Sequence, residues 1–204
     1  MRIVVAAAAD VLARWPDPWS AVSAAEVERA RDFHRADDAR DFLAAHLAAR
    51  ECVTALTGAS PVRLVQRCAE CGGPHGKPSV PEHPEIHVSW SHSHGHIAAV
   101  AARDPVGIDV ETRGRRHDVD RLVRRTATSA EAAAILADSD PGAAYLRMWV
   151  AKEALVKVGA VTVAQFGRTD VRDGVYGDVA LAVTEPPGVV VGLAVRQADA
   201  AVRA

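Results

Sequence analysis

The chain is poor in the features that most quickly assign a class. No stretch comes near the roughly 18 consecutive apolar residues that a membrane-spanning helix needs, so no membrane span is expected. Cysteine is scarce. Cys52, Cys68 and Cys71 are too few for a disulfide scaffold, and an odd count leaves one over. There is no excess of charge of one sign: the formal net charge is −2, which removes the usual argument for a nucleic-acid partner. Nor does the sequence repeat itself. The opening Met1–Asp10 run faintly imitates a secretion signal, but its apolar part is short and stops at Asp10, so it reads as a strand of the fold. A reducing cytoplasmic setting is the default expectation. A length of 204 residues allows one ordinary domain or two small lobes, with apolar sequence enough for a core.

Local patterns order the chain. Residues 1–9 read as a strand, and Pro16-Asp17-Pro18-Trp19 as a turn. Ser23 with Glu26 three residues on is a capping-box signal for a helix from Ala24. Phe42, Leu43, His46, Leu47, Arg50, Val53 and Leu56 fall at helical spacing, which predicts a helix over 37–56 closed by Gly58. A short strand at 62–66, a Gly- and Pro-rich loop at 68–78, and paired strands at 86–90 and 97–102 around a turn at 91–96 follow. Asp104-Pro105 marks a lobe boundary. Beyond it come a strand at 106–111, a helix near 119–125, and a helix opened by the capping box Thr128-Ser129-Ala130-Glu131. A helix over 142–158 ending at Gly159 is next, then strands at 161–166, 179–184 and 189–195, the last two joined by Pro186-Pro187-Gly188. Strand, helices and strands in succession, twice over, predict an α/β (α+β) fold of two similar lobes, 1–103 and 104–204.

Two stretches carry the chemistry. In Val106-Gly107-Ile108-Asp109-Val110-Glu111 the strand period sends Val106, Ile108 and Val110 one way and the two acids the other. In Trp149-Val150-Ala151-Lys152-Glu153-Ala154-Leu155-Val156-Lys157 the helical period puts Glu153 and Lys157 on one face. Carboxylates are hard ligands for a magnesium ion, and ammonium groups suit phosphate oxygens. Each stretch also has a plain reading: a solvated strand face, and a surface Glu–Lys pair of small energetic value.

Taken in this order and spacing, the two stretches resemble the signature of the Sfp-type 4′-phosphopantetheinyl transferases: hydrophobic-Gly-hydrophobic-Asp-hydrophobic-Glu, then Trp-x-x-Lys-Glu-x-x-x-Lys. Upstream, Gly76-Lys77-Pro78 and Ser89-Trp90-Ser91-His92-Ser93 are similar to further family segments, so the resemblance covers roughly residues 26 to 160. It implies two lobes in pseudo-twofold arrangement with the cofactor cleft between them, the first serving the nucleotide end of coenzyme A and the second the magnesium and diphosphate. It implies transfer of the phosphopantetheine arm to a serine of an acyl, peptidyl or aryl carrier protein, with 3′,5′-ADP leaving, in polyketide, nonribosomal peptide or fatty-acid synthesis. By the same resemblance Asp109, Glu111 and Glu153 hold Mg²⁺, and Lys157 contacts the diphosphate. Glu153 is a candidate base for the acceptor serine, with a water on the cation as the alternative. Lys77, Ser91 and His92 would meet coenzyme A, and Lys152 would be either a second ligand contact or a structural ion pair. Trp149 is expected to pack. The 3′-phosphate cations are sought among Arg29, Arg31, Arg35 and Arg40, with Arg29 favoured, although Glu26 and Asp41 sit awkwardly in that helix for such a role. A monomer is expected.

Other readings compete locally. His87, His92, His94 and His96 could form a transition-metal patch. Cys68 and Cys71, with His75 nearby, could be part of a structural zinc site, although one Cys-x-x-Cys supplies only two ligands. The basic runs at 113–116 and 121–125 suit docking of an acidic carrier, or are simply solvated. For the whole chain the rivals are a coenzyme A or divalent-metal binding module without turnover, and a histidine- and cysteine-based metal protein.

Overall fold

A computed structural model gives the structure of residues 1–197 apart from 69, 70, 75 and 115–117. The fold is mixed α+β, and the chain divides into two compact units, Met1–Val106 and Gly107–Ala204.

The first unit is built on a three-stranded antiparallel sheet of order β1-β5-β4, from β1 (Arg2–Ala7), β4 (His87–Ser93) and β5 (His96–Ala102). A two-stranded ribbon pairs β2 (Val65–Gln66) with β3 (Pro78–Ser79). Register sets the faces. Val4 lies opposite Ala99, Trp90 opposite Ala99, and Val88 opposite Ala101, so these side chains share one side of the sheet. That side buries the long helix α3 (Ala36–Thr57) through Leu43, Leu47 and Val53. Alanines on both partners (Ala44, Ala48, Ala99, Ala101) keep helix and sheet close. Gly58 ends α3 in the left-handed region at φ 76°, as expected of a glycine there.

Three expectations are revised in this unit. The strand expected over 1–9 stops at Ala7. The chain turns into a short helix, α1 (Ala8–Leu12), which buries Ala8 and Val11, and Ala8 N–H donates to Gly95 O at 2.8 Å. The strand expected at 62–66 keeps only its last two residues. Finally, the turn expected over 91–96 is only His94-Gly95, with φ of 45° and 83°, the paired positive values a tight two-residue hairpin demands. Ser91 and His92 therefore lie within β4. Asp41 clasps this hairpin, its buried carboxylate accepting Gly95 N–H at 2.7 Å. The acid that looked misplaced for phosphate binding is thus a structural tie. The expected capping box opens α2 (Ala24–Arg31), with Ser23 and Glu26 bonded reciprocally.

The second unit centres on a four-stranded sheet of order β6-β9-β8-β7, from β6 (Val106–Thr112), β7 (Val175–Tyr176), β8 (Val179–Thr184) and β9 (Val189–Arg196). One face carries α6 (Pro141–Val158), which buries Val150, Ala154 and Leu155 in a core shared with Val179, Val190 and Ala194. Gly159 caps α6 in the left-handed region. The shorter helices α4 (Val119–Thr126) and α5 (Ser129–Ala137) complete the unit, α5 opening with the Thr128–Glu131 capping box. The strand expected at 161–166 is a 3₁₀ helix, Val163–Arg168. Thr162 and Gln165 close a capping box there, and Phe166 is driven inward.

Candidate active site

The site in the second unit follows from the period of β6. Alternation puts Gly107, Asp109 and Glu111 on one face, and that face carries α6. A Cβ at Gly107 would stand 2.2 Å from Ala154 O and 2.7 Å from Val158 N, so only glycine lets the helix backbone come this near the strand. Two residues on, Asp109 is buried, and Lys157 reaches it. Lys157 Nζ donates to Asp109 Oδ1 at 2.7 Å and to Ile108 O at 2.9 Å. Glu153 stands one turn before Lys157 on the same helix face. Burial pushes the Glu153 carboxyl above the usual range. The Asp109 charge and, more weakly, that of Glu111 push it the same way, against the pull of Lys157. Three acids thus lie within electrostatic reach of one another, beside one ammonium group.

That arrangement suits a hard divalent cation in two respects. Its donors are carboxylate oxygens, and their mutual repulsion is what such a cation relieves. It is not a ready-made cage: among the described residues no group of three or more His, Cys, Asp or Glu side chains is arranged to hold a metal ion.

Lys152 departs from the ligand role. It is fully buried, and its Nζ donates to Glu131 Oε2 at 2.6 Å, Thr126 O at 2.7 Å and Phe166 O at 2.8 Å. Three donors meet three acceptors, so of the two roles open to Lys152 the geometry is that of the structural ion pair, and the assignment to coenzyme A is corrected. Glu131 is equally engaged, also accepting Thr128 N–H at 2.7 Å and Val171 N–H at 3.1 Å. Trp149 packs as expected, stacked on Tyr145 at 6.1 Å and edge-on to Phe166 at 5.7 Å.

The remaining candidates belong to the first unit. Ser91 and His92 are neighbours in β4, so their side chains leave opposite faces of the sheet. His92 is on the α3 side, edge-on to Phe33 at 6.4 Å. Arg29 is exposed, its guanidinium 5.5 Å over the same Phe33 ring and 3.4 Å from Asp32. It rims a cavity of about 270 Å³ with Arg63, Phe42, His46 and Trp90. Arg31, Arg35 and Arg40 are exposed and do not line this cavity. Lys77 is exposed, and its charge, after burial, helps lower the pKa of His87. Beneath the cavity Glu26 is buried against Arg50 (2.8 and 2.9 Å) and His46 Nδ1 (2.6 Å). Burial pushes the Glu26 carboxyl up, but hydrogen bonds from His46 and Arg50 outweigh it and hold the group well below the carboxylate range. Sequence reasoning set Glu26 aside as a capping residue in the wrong place for a cation. The i, i+4 spacing of His46 and Arg50 was the available signal for a common partner.

The rival metal readings fare differently. His92 lies opposite Ile97 and His96 opposite Ser93, so the two rings leave opposite faces and the histidine patch is not assembled. Cys68 is half-buried and Cys71 exposed, in a loop closed by Cys68 N–H to Gly73 O at 2.9 Å; His75 lies outside the described residues. Arg113 is engaged by Glu185, and Arg115 and Arg116 fall outside the described residues. Helix α4 turns Val123 inward and leaves Arg121, Arg124 and Arg125 exposed.

Comparison with known proteins converges on the same segment. Residues 105–181, which contain β6 and α6, match the family model of the 4′-phosphopantetheinyl transferase superfamily. Over this segment the chain is similar to that superfamily. Over 92 residues it is 32% identical to a 4′-phosphopantetheinyl transferase of Bacillus subtilis, a match that covers 45% of this chain and 39% of that protein. The chain thus matches about two fifths of the length of this superfamily relative. No helix among the described residues is long and apolar enough to cross a membrane.

Proposed function

We propose that the chain is an Sfp-type, magnesium-dependent 4′-phosphopantetheinyl transferase that moves the phosphopantetheine arm of coenzyme A onto a serine of a carrier protein. The observation that carries this reading is the Lys157–Asp109 contact, with Glu153 and Glu111 in electrostatic reach of it. In this reading Asp109, Glu111 and Glu153 would hold the cation, whose charge would offset that of the diphosphate. Lys157 is placed to donate to diphosphate oxygens, which cluster charge as the bond to 3′,5′-ADP breaks. The acceptor serine oxygen bonds to phosphorus as 3′,5′-ADP departs, and the hydroxyl proton passes to the Glu153 carboxylate. In the cation-free protein that carboxyl is raised above its usual range; a bound cation would lower it, and a water on the cation is then the alternative acceptor of the proton.

The first unit is assigned the nucleotide end. A cavity walled by Phe42, His46 and Trp90 and rimmed by Arg29 offers flat apolar faces beside a cation, which suits a base with an attached phosphate. Lys77 and His92 are assigned as further donors, whereas Ser91, on the other face of β4, is turned away from this cavity. The exposed arginines of α4 are assigned to carrier docking, since acidic carriers are steered by a basic face. The protein works as a cytoplasmic monomer in polyketide, nonribosomal peptide or fatty-acid synthesis.

The test is mass spectrometry of apo carrier domains incubated with the protein, coenzyme A and Mg²⁺. A gain of one phosphopantetheine arm, absent without Mg²⁺, is the expected result. Carriers that stay unmodified across a varied panel, while coenzyme A still binds, would replace the transferase by a binding module.

A further inference from the structure

Helix α6 rests on a second glycine. Gly192, on β9, sits under the turn before the one that Gly107 supports. A Cβ at Gly192 would stand 2.3 Å from Val150 O, 2.5 Å from Val150 C and 2.9 Å from Ala151 N. All three are backbone atoms, so no side-chain rotation relieves the contact; the helix itself has to lift. Because β6 and β9 are neighbours in the sheet, the two glycines form a two-point seat, one under Val150 and Ala151 and the other under Ala154 and Val158. Val190 and Ala194 flank Gly192 on the same face and pack into the α6 core.

We infer that Gly192 is a positioning residue for the reaction: by fixing how closely α6 lies on the sheet, it sets where Glu153 and Lys157 stand relative to Asp109. This inference rests on the transferase reading above. Lys157 holds Asp109 at 2.7 Å, a distance with little slack for a hydrogen bond between charged groups. Lifting the helix at Val150 by the roughly 1 Å needed to restore ordinary carbon–oxygen contact moves Glu153, one turn on, by a similar amount, and such a misplacement costs on the order of a hundredfold in rate. Gly192 lies outside both acidic stretches, touches no reacting group, and acts only through the helix.

The experiment compares Gly192→Ala with Val190→Ala. Val190→Ala removes a buried side chain from the same strand and face without pushing on α6, so it is the control for lost stability. Gly192→Ala is expected to lower kcat by roughly a hundredfold with KM for the carrier within about threefold. Val190→Ala is expected to lower Tm yet keep kcat within about twofold. If Gly192→Ala does not fold, Ala194→Val is the milder wedge on the same face, expected to lower kcat by about threefold to tenfold. Equal loss of kcat in Val190→Ala and the wedge variants at matched Tm would overturn the inference, as would wild-type kcat in both wedge variants. A crystal structure of the folded wedge variant decides independently of turnover: a Lys157–Asp109 separation beyond about 3.5 Å is expected, and an unchanged contact refutes it. Should the wild type transfer nothing to any carrier, the transferase reading falls, while the crystallographic arm still decides whether Gly192 sets the Lys157–Asp109 geometry.

Discussion

Lys157 crosses from α6 to hold Asp109 on β6 at 2.7 Å, and it does so because Gly107, two residues before Asp109 on the same face, lets the helix come close enough. The contact joins two residues 48 positions apart in the chain and defines the candidate active site.

Replacing Asp109 by Asn keeps the shape and removes the charge. Transfer is expected to fall by roughly a hundredfold or more, since charge facing the diphosphate is lost where reaction needs it. Far-ultraviolet circular dichroism should be unchanged, because Lys157 is a quarter exposed and reaches water once released. Carrier modification near the wild-type rate in this variant would remove Asp109 from the site.

Glu153 gives a pH-dependent prediction. Burial raises its folded carboxyl above the ordinary value of 4.5, with Asp109 adding to the shift, so the charged form is the disfavoured one in the fold. The wild type without a divalent cation therefore loses stability as pH rises from 4.5 through the raised value. Glu153→Gln should be the more stable protein above that range, with the advantage fading as pH falls toward 4.5. Thermal denaturation in chelator across this range measures it. A Tm difference independent of pH would show that Glu153 is not strained by its neighbours.

Lys152→Met separates a structural lysine from a ligand. It strands the Glu131 carboxylate in the core, and breaking a buried pair from one side costs about 3–5 kcal/mol. A matching drop in unfolding free energy in urea is expected. At a temperature where the variant is folded, KM for coenzyme A should stay at the wild-type value; a tenfold rise would return Lys152 to the cofactor.

In the first unit, Glu26→Gln tests the buried Glu26–Arg50–His46 network. Its carboxyl is buried yet held low by His46 and Arg50, so its stabilising effect is complete above 4.5 and is lost as pH falls below that value. The variant should be less stable than wild type at neutral pH by about 3–5 kcal/mol, and the two should converge in acid. Urea titrations at neutral pH and near pH 3 read the difference. Parallel curves at both would place the ionisation elsewhere.

Much of this was legible in the sequence, for a physical reason. Capping boxes at Ser23 and Thr128, glycine stops at Gly58 and Gly159, and the period of β6 are local signals, and the structure has them where local rules put them. Distance from the sequence's own neighbourhood defeated the rest. Residues 8 and 9 continue the opening apolar run, yet the chain leaves the strand there, with Ala8 N–H bonded to Gly95 O and Ala8 and Val11 buried in a short helix. Residues 161–166 alternate like a strand, but burial of Phe166 under Trp149 and a Thr162–Gln165 cap make a 3₁₀ turn. In the candidate site, the acids and Lys157 could be named from their spacing, whereas the partner of Lys152 lies 21 residues away in a different helix. Ser91 and His92 read as one cluster in a line of letters, but a continuous strand sends them to opposite faces.

The Glu131 side chain closes the start of α5, carries the Val171 amide and neutralises Lys152. No other common residue meets all three demands: aspartate is too short, and glutamine lacks the charge. Two positions far apart in the gene are therefore bound to a shared history. A change at either leaves a lineage worse off until the other follows, so divergence at this pair should proceed by joint replacement and seldom by a single accepted step.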